Sequence, residues 1–286
     1  MSTTKQKIAF VTDSTCDLPA AFVQAHDVGI VPCFINYGGE SHLDNGIDLV
    51  REDFYARMAK IRPYATTAAP SPGQTQRVIE EKFAHADHVI ILTAPAKLSS
   101  IYNAMRLGAA SLPPDRVTLI DSGSTTMSLG YQVQIGVETA EATGDLDATL
   151  KAIQAVRENV MMYAALNTME FLRASGRVGW AAAGIGALLQ IKPIIGLRDG
   201  VVQSVAKVRT FTRATDELVE LTRSMAPLDR LTVVHTHNPE GAQTLIERLG
   251  DLVPADMGVM SVTPTLGTHV GPGAVGVVPL SKSWRT

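Results

Sequence analysis

Cysteine is scarce in this chain, with Cys16 and Cys33 the only two among 286 residues. Two thiols make no disulfide framework, and the opening MSTTKQKIAFVTD runs into a strand without a signal-peptide hydrophobic stretch, so a cytoplasmic protein with reduced thiols is expected. An excess of charge of one sign is also lacking. The 25 basic and 28 acidic residues leave a formal net charge of -3, and nothing in that balance points to a nucleic-acid partner. Long hydrophobic runs are missing too. A spanning helix needs about 20 consecutive apolar residues. The run of small and apolar residues from Val178 to Leu189 is broken by Gln190 and Lys192 well short of that, and it contains the poor helix formers Gly179, Gly184 and Gly186. Integral membrane association is therefore not expected. No Walker loop, internal repeat, low-complexity segment or disordered tail is visible.

What is present is an ordinary globular composition, 45% hydrophobic and 19% charged, in a chain long enough for two domains. Short apolar runs alternate with helical patterns. Strands are expected at Lys7 to Thr12, Val28 to Ile35, Asp87 to Leu92 and Arg116 to Ile120, with helices after Pro19, over Leu49 to Lys60, from Pro72 to about Ala84, over Ser99 to Ala110 and over Thr125 to Thr143. Asn36 to Asn45 reads as a hairpin or loop, and Thr66 to Gly73 as a loop leading to a helix capped by Ser71. Such alternation predicts a parallel sheet with helices on its faces, and ligands bind such sheets beyond the strand C-termini. Three polar loops fall there: Asp13-Ser14-Thr15, Thr93 to Ser100 and Asp121 to Ser124. They should converge on one crevice. After a helix over Asp147 to Glu158 the pattern changes. The expected organisation is α/β overall, with a parallel-sheet α/β domain over residues 1–159 and an α+β domain over residues 160–286.

The second half opens on Thr168 to Gly200, where Gly176-Arg177 precede the small, apolar run. So much small apolar surface packs closely against either another element of the fold or an apolar ligand. Later, Lys207 to Arg213 is locally basic and precedes a helix. Gly271 to Gly276 spells G-x-G-x-x-G, yet too little chain remains for the helix and acidic residue a dinucleotide site requires; it reads as a tight turn at the sheet edge. His235 and His237 stand two apart at a strand end and lack a third metal ligand; His85 and His88 flank a helix end and read as solvated. Cys16 has no basic neighbour to make a thiolate, and Ser122 lacks the G-x-S-x-G elbow. The polar residues left at loop positions are Thr67, Ser99 and His269. With Arg177 and the apolar run they describe a pocket for an amphipathic small molecule.

Six motifs in order, VTDSTCDLP (Val11 to Pro19), TAAPSPGQ (Thr67 to Gln74), LSSIYNAM (Leu98 to Met105), LIDSGSTTMSLG (Leu119 to Gly130), the stretch Phe171 to Ile195, and GTHVGPGAVG (Gly267 to Gly276), resemble the DegV family of bacterial fatty-acid-binding proteins. The resemblance covers almost the whole chain. It implies one long-chain fatty acid buried between the two domains, with its carboxylate held by Thr67, Ser99 and His269, and no cofactor or metal. It also implies a partner, a dihydroxyacetone-kinase-like fatty acid kinase that phosphorylates the bound acid in phospholipid metabolism. On this reading Arg177, Gly184 and Gly186 line the pocket or its mouth, and Lys207, Arg209 and Arg213 face the kinase. The family's pattern is altered at Ala68, Ile101 and Gly179, each of which removes a hydroxyl. A different reading of the same residues is a serine esterase or acyltransferase, with Ser99 as nucleophile, His269 as base, and Asp121 or Asp13 orienting the imidazole.

Overall fold

The structure is a computed structural model that describes residues 5–179 and 191–286. In chain order the first half runs β1 (Ile8–Asp13), α1 (Ala20–Ala25), β2 (Gly29–Val31), β3 (Phe34–Tyr37), β4 (Glu40–Leu43), α2 (Arg51–Met58) and β5 (Thr66–Ala68). It continues through α3 (Pro72–Phe83), β6 (His88–Thr93), α4 (Ile101–Gly108), β7 (Val117–Asp121), α5 (Met127–Thr143) and α6 (Leu146–Asn159). The second half comprises β8 (Met162–Ala165), α7 (Glu170–Ala174), β9 (Lys192–Arg198), β10 (Val201–Val208), α8 (Phe211–Arg223) and β11 (Leu228–His235). It ends with α9 (Pro239–Leu249), β12 (Met257–Ser261), α10 (Pro264–Val270) and β13 (Val275–Ser281).

The first sheet is parallel, in the order β2-β1-β6-β7. Successive side chains of a strand point to opposite faces, and β6 shows why its central run Val89 to Leu92 is apolar without alternation. Val89 and Ile91 pack with Ile79 and Met105 of α3 and α4, while Ile90 and Leu92 pack with Leu129, Val133 and Ile153 of α5 and α6. Both faces are covered, as a parallel sheet requires. The second sheet is mixed, in the order β10-β9-β8-β13-β11-β12, with only β11 and β12 parallel. One face carries α8 and α9 through Leu218, Leu245, Val233 and Val277. The other, with Met162, Ile195 and Leu197, shares an apolar core with Phe54 of α2 and Tyr131 and Ile135 of α5. That shared core joins the two halves.

Four expectations are corrected. The strand expected over Val28 to Ile35 is two strands in different sheets: it breaks at Pro32, which has no N–H for the ladder, and β3 pairs antiparallel with β4 and β5 instead. Thr67 lies not in a loop but in β5, opposite Ile35 of β3. His88 is buried, 5% exposed, and its Nε2 lies 2.8 Å from Thr118 Oγ1 on the neighbouring strand, whereas His85 is exposed. The turn Gly271 to Gly273 feeds an interior strand rather than an edge. Gly276 of β13 runs so close to β8 that a Cβ there would lie 2.5 Å from the Tyr163 carbonyl oxygen. Among the described residues no helix is long and apolar enough to cross a membrane.

Candidate ligand-binding cavity

The ends of β1, β6 and β7 converge as the parallel topology demands. Asp13 at the end of β1 accepts from Ala94 N at the end of β6, 2.8 Å away, and Asp121 at the end of β7 accepts from Ala96 N at 3.1 Å. Beyond these ends lies a cavity of about 600 Å3 between the two halves. The first half lines it with Thr15, Cys33, residues 67–69, Ala94, Leu98 and Ser99. The third loop contributes Thr125 rather than the Asp121 to Ser124 turn. From the second half come Met162, Ile195 and Leu197 of the sheet, Leu172 of α7, and Ser175, Arg177 and Val178 just beyond it. The last wall is α10, whose Thr265, Leu266, His269 and Val270 fall on one helical face.

Among the described residues most of the wall is apolar, with hydroxyls, one imidazole and, at the rim, the Arg177 guanidinium as its polar side-chain groups. His269 Nε2 lies 3.0 Å from Thr67 Oγ1, across the seam between the halves. Its Nδ1 is buried and has no hydrogen-bond partner among the described residues. Burial pushes the His269 imidazole down to about 4, and the positive charge of Arg177 adds to the effect. The ring is therefore neutral at pH 7, with one N–H to donate. Ser99, half-buried at the same cavity, accepts from Ile101 N at 3.3 Å and so helps turn the chain into α4. Arg177 is exposed at the rim, its Nη1 donating to Ser175 O at 2.6 Å.

The structure therefore brings Thr67, Ser99, His269 and Arg177 to one cavity. Gly184 and Gly186 lie outside the described residues. Lys207 stands at the end of β10, Arg209 before α8, and Arg213 in the first turn of α8; all three are exposed and none lines the cavity. His269 belongs to a helix, not a loop: Pro264 takes the first helical position, where its missing N–H costs nothing.

A hydrolytic triad is not assembled among the described residues. His269 contacts Thr67, not Ser99, and no carboxylate meets its Nδ1. Asp13 is occupied by Thr15 and Ala94, and Asp121 by Ala96 and Gly123. His235 and His237 are likewise held separately. His235 ends β11 and its Nδ1 accepts from Asn238 N, while His237 adopts a left-handed backbone and stacks on Tyr55. Among the described residues no group of three or more His, Cys, Asp or Glu side chains could hold a metal ion.

Sequence reasoning missed Asp17, Asp44, Arg51 and Tyr55, which surround the start of α10. Asp17 Oδ1 accepts from Thr263 N at 2.8 Å, and Asp44 Oδ2 from Thr265 N at 3.1 Å. Both carboxylates are buried, and burial raises both above the ordinary carboxylate range, Asp17 to about 7. The only signal for Asp17 is its place in the turn after β1. Asp44 and Tyr55 carry none, because their burial arises from a helix more than 200 positions away.

The α/β molecule thus has an apolar cavity at the strand ends with a neutral imidazole at its polar corner, a shape and chemistry that suit a small amphipathic ligand. The family described as "Uncharacterised protein, DegV family" matches residues 7–282, and the chain belongs to it. A DegV domain-containing protein of Streptomyces coelicolor is 34% identical over 283 residues, covering 96% of this chain and 99% of the relative. A DegV family protein from Thermus thermophilus, solved as a study of fatty acid binding, superposes with a TM-score of 0.88 at 28% identity, covering 96% of this chain and 99% of its own. A stearic acid-binding protein from Eubacterium ventriosum shares the fold, with a TM-score of 0.87 at 20% identity, covering 98% of this chain and 100% of its own.

Proposed function

We propose that this protein binds a long-chain fatty acid in the cavity between its halves, taken as residues 1–159 and 160–286, and presents the carboxylate to a partner fatty acid kinase. The observation that carries this reading is the pairing of an apolar cavity of about 600 Å3 with one polar corner built on a neutral His269 beside Thr67. The neutral Thr67–His269 pair uses one of its two protons for the bond between them and keeps the other for a carboxylate, and the Ser99 hydroxyl offers a second donor, both at little electrostatic cost. Ser99 Oγ already accepts from Ile101 N, so its proton is free to point into the cavity. Each methylene removed from water contributes about 0.8 kcal/mol, so a long chain supplies on the order of 10 kcal/mol before the ordering costs of binding. The family relationship and the fatty acid binding of the Thermus thermophilus relative support the ligand class.

The chemistry would belong to the kinase. Arg177 at the rim is placed to neutralise charge as the carboxylate becomes an acyl phosphate. Lys207, Arg209 and Arg213 form an exposed basic segment that makes no ion pair among the described residues, and we assign it to the docking surface. Titrating delipidated protein with palmitate tests the binding reading: saturable binding near one equivalent supports it, and no uptake by folded protein would overturn it.

A further inference from the structure

We infer that Asp17 and Asp44, together with Tyr55, are positioning residues for His269: they hold the start of α10 from the opposite half of the molecule and so set where its cavity-facing side chains stand. The inference rests on the fatty-acid reading of His269 given above.

Helix α10 has seven residues, too few to be stable by itself, so its axis and rotation are fixed by what grips it. Among the described residues, the hydrogen bonds that tie its backbone to the other half lie at its N-terminus, where backbone N–H groups lack intrahelical partners. Thr263 N donates to Asp17 and Thr265 N to Asp44. Asp44 Oδ2 also accepts from the hydroxyls of Thr265 and Ser14, which ties the helix to the loop after β1. Tyr55 Oη lies 3.1 Å from Val262 O and 3.2 Å from Thr263 O. Its ring packs so closely on the helix that a Cβ at Gly267 would lie 2.1 Å from Oη. Arg51 sits 3.8 Å from Asp17 and donates to Ser261 O at the end of β12.

Two features mark this as more than ordinary packing. Asp17 holds its carboxylate in place from a left-handed backbone, φ 52°, a conformation uncommon outside glycine, asparagine and aspartate. Buried carboxylates are also costly, and their persistence is explained when their hydrogen bonds fix a geometry. The consequence follows from helical periodicity. Thr265, held by Asp44, and His269 are one turn apart on one face, so any rotation that frees Thr265 swings the imidazole away from Thr67.

The test uses the full-length protein, delipidated, with palmitate as probe and variants at residues outside the cavity wall. Asp17→Gly and Asp17→Asn both suit a left-handed backbone, but only asparagine keeps an oxygen for Thr263 N. Asp17→Gly and Tyr55→Phe are expected to weaken palmitate binding about five- to tenfold, the size of a lost hydrogen bond or two, while Asp17→Asn stays within about twofold of the parent. In a His269→Ala background the same changes should have no further effect, since a positioning residue acts only through what it positions. Ring-nitrogen NMR of His269 in ligand-free protein should show shifted resonances in Asp17→Gly and restored ones in Asp17→Asn. Equal losses with and without His269, or unchanged ring resonances in Asp17→Gly, overturn the inference. Unchanged palmitate affinity in His269→Ala alone would instead refute the carboxylate site, and the NMR comparison would still decide the positioning role.

Discussion

His269 carries the greatest chemical weight of any single residue. It is an imidazole held neutral by burial, with Thr67 on one ring nitrogen and no partner among the described residues on the other. If it donates to a carboxylate, His269→Ala and Ser99→Ala should each lower palmitate affinity about ten- to hundredfold, as expected for a hydrogen bond to a charged group. Isothermal titration measures this directly, and unchanged affinity in both variants would remove the assignment. The same imidazole should mark the stability of the unliganded protein. Its folded value of about 4 lies below the ordinary 6.5, so between those limits the unfolded chain binds the extra proton. Stability is then unaffected above pH 6.5 and falls as pH drops towards 4, by no more than about 3 kcal/mol. Asp17 acts in the opposite sense, because its raised value favours the folded state at lower pH. The comparison must therefore be between parent and His269→Gln, whose urea-unfolding free energy should fall less steeply from pH 6.5 to 4.5; parallel pH profiles would contradict a buried neutral imidazole.

At the scale of elements, the close approach of β13 to β8 sets a sharp condition. Gly276→Ala would drive a Cβ to 2.5 Å from the Tyr163 carbonyl oxygen, and backbone cannot step aside cheaply. A loss of about 1–3 kcal/mol is expected. It should appear as a lower melting temperature with palmitate affinity retained in the folded fraction. The elements also show what local sequence conveys. The β6 run Val89 to Leu92 is apolar enough to declare a buried strand, and the strand ends indicated where the polar loops meet. Pro32 contained a signal for the break between β2 and β3, but which sheet β3 joins depends on pairing with β4 and β5. Helix α10 was invisible for a further reason. Its one local sign is Thr263-Pro264 at the start, but the Thr263 side chain makes no cap bond, and the N–H groups there are met by Asp17 and Asp44 from far along the chain. His88 looks solvated only until its neighbour Thr118, 30 residues on, supplies a partner. Thr67, Ser99 and His269 could be grouped through motif resemblance, whereas the residues that hold α10 could not, because their role exists only once the halves meet.

The molecule holds its cavity between two large sheets, with the small sheet β4-β3-β5 supplying Thr67, and the proposed division of labour gives binding to the cavity and transfer to a partner. The exposed Lys207, Arg209 and Arg213 lie apart from the cavity wall, so their charge should matter to docking alone. Arg209→Glu is expected to leave palmitate affinity unchanged and to slow phosphorylation by the partner kinase, most at low ionic strength where screening is weakest. Equal turnover with the parent at low salt would return the segment to plain solvated surface. The central claim, that the cavity encloses a fatty acid, is tested most directly by native mass spectrometry of freshly isolated protein that has never been delipidated, followed by organic extraction. One fatty acid per folded chain, lost from a His269→Ala/Ser99→Ala double variant, is the expected result. Folded protein that repeatedly carries no fatty acid and takes none up when supplied would contradict it.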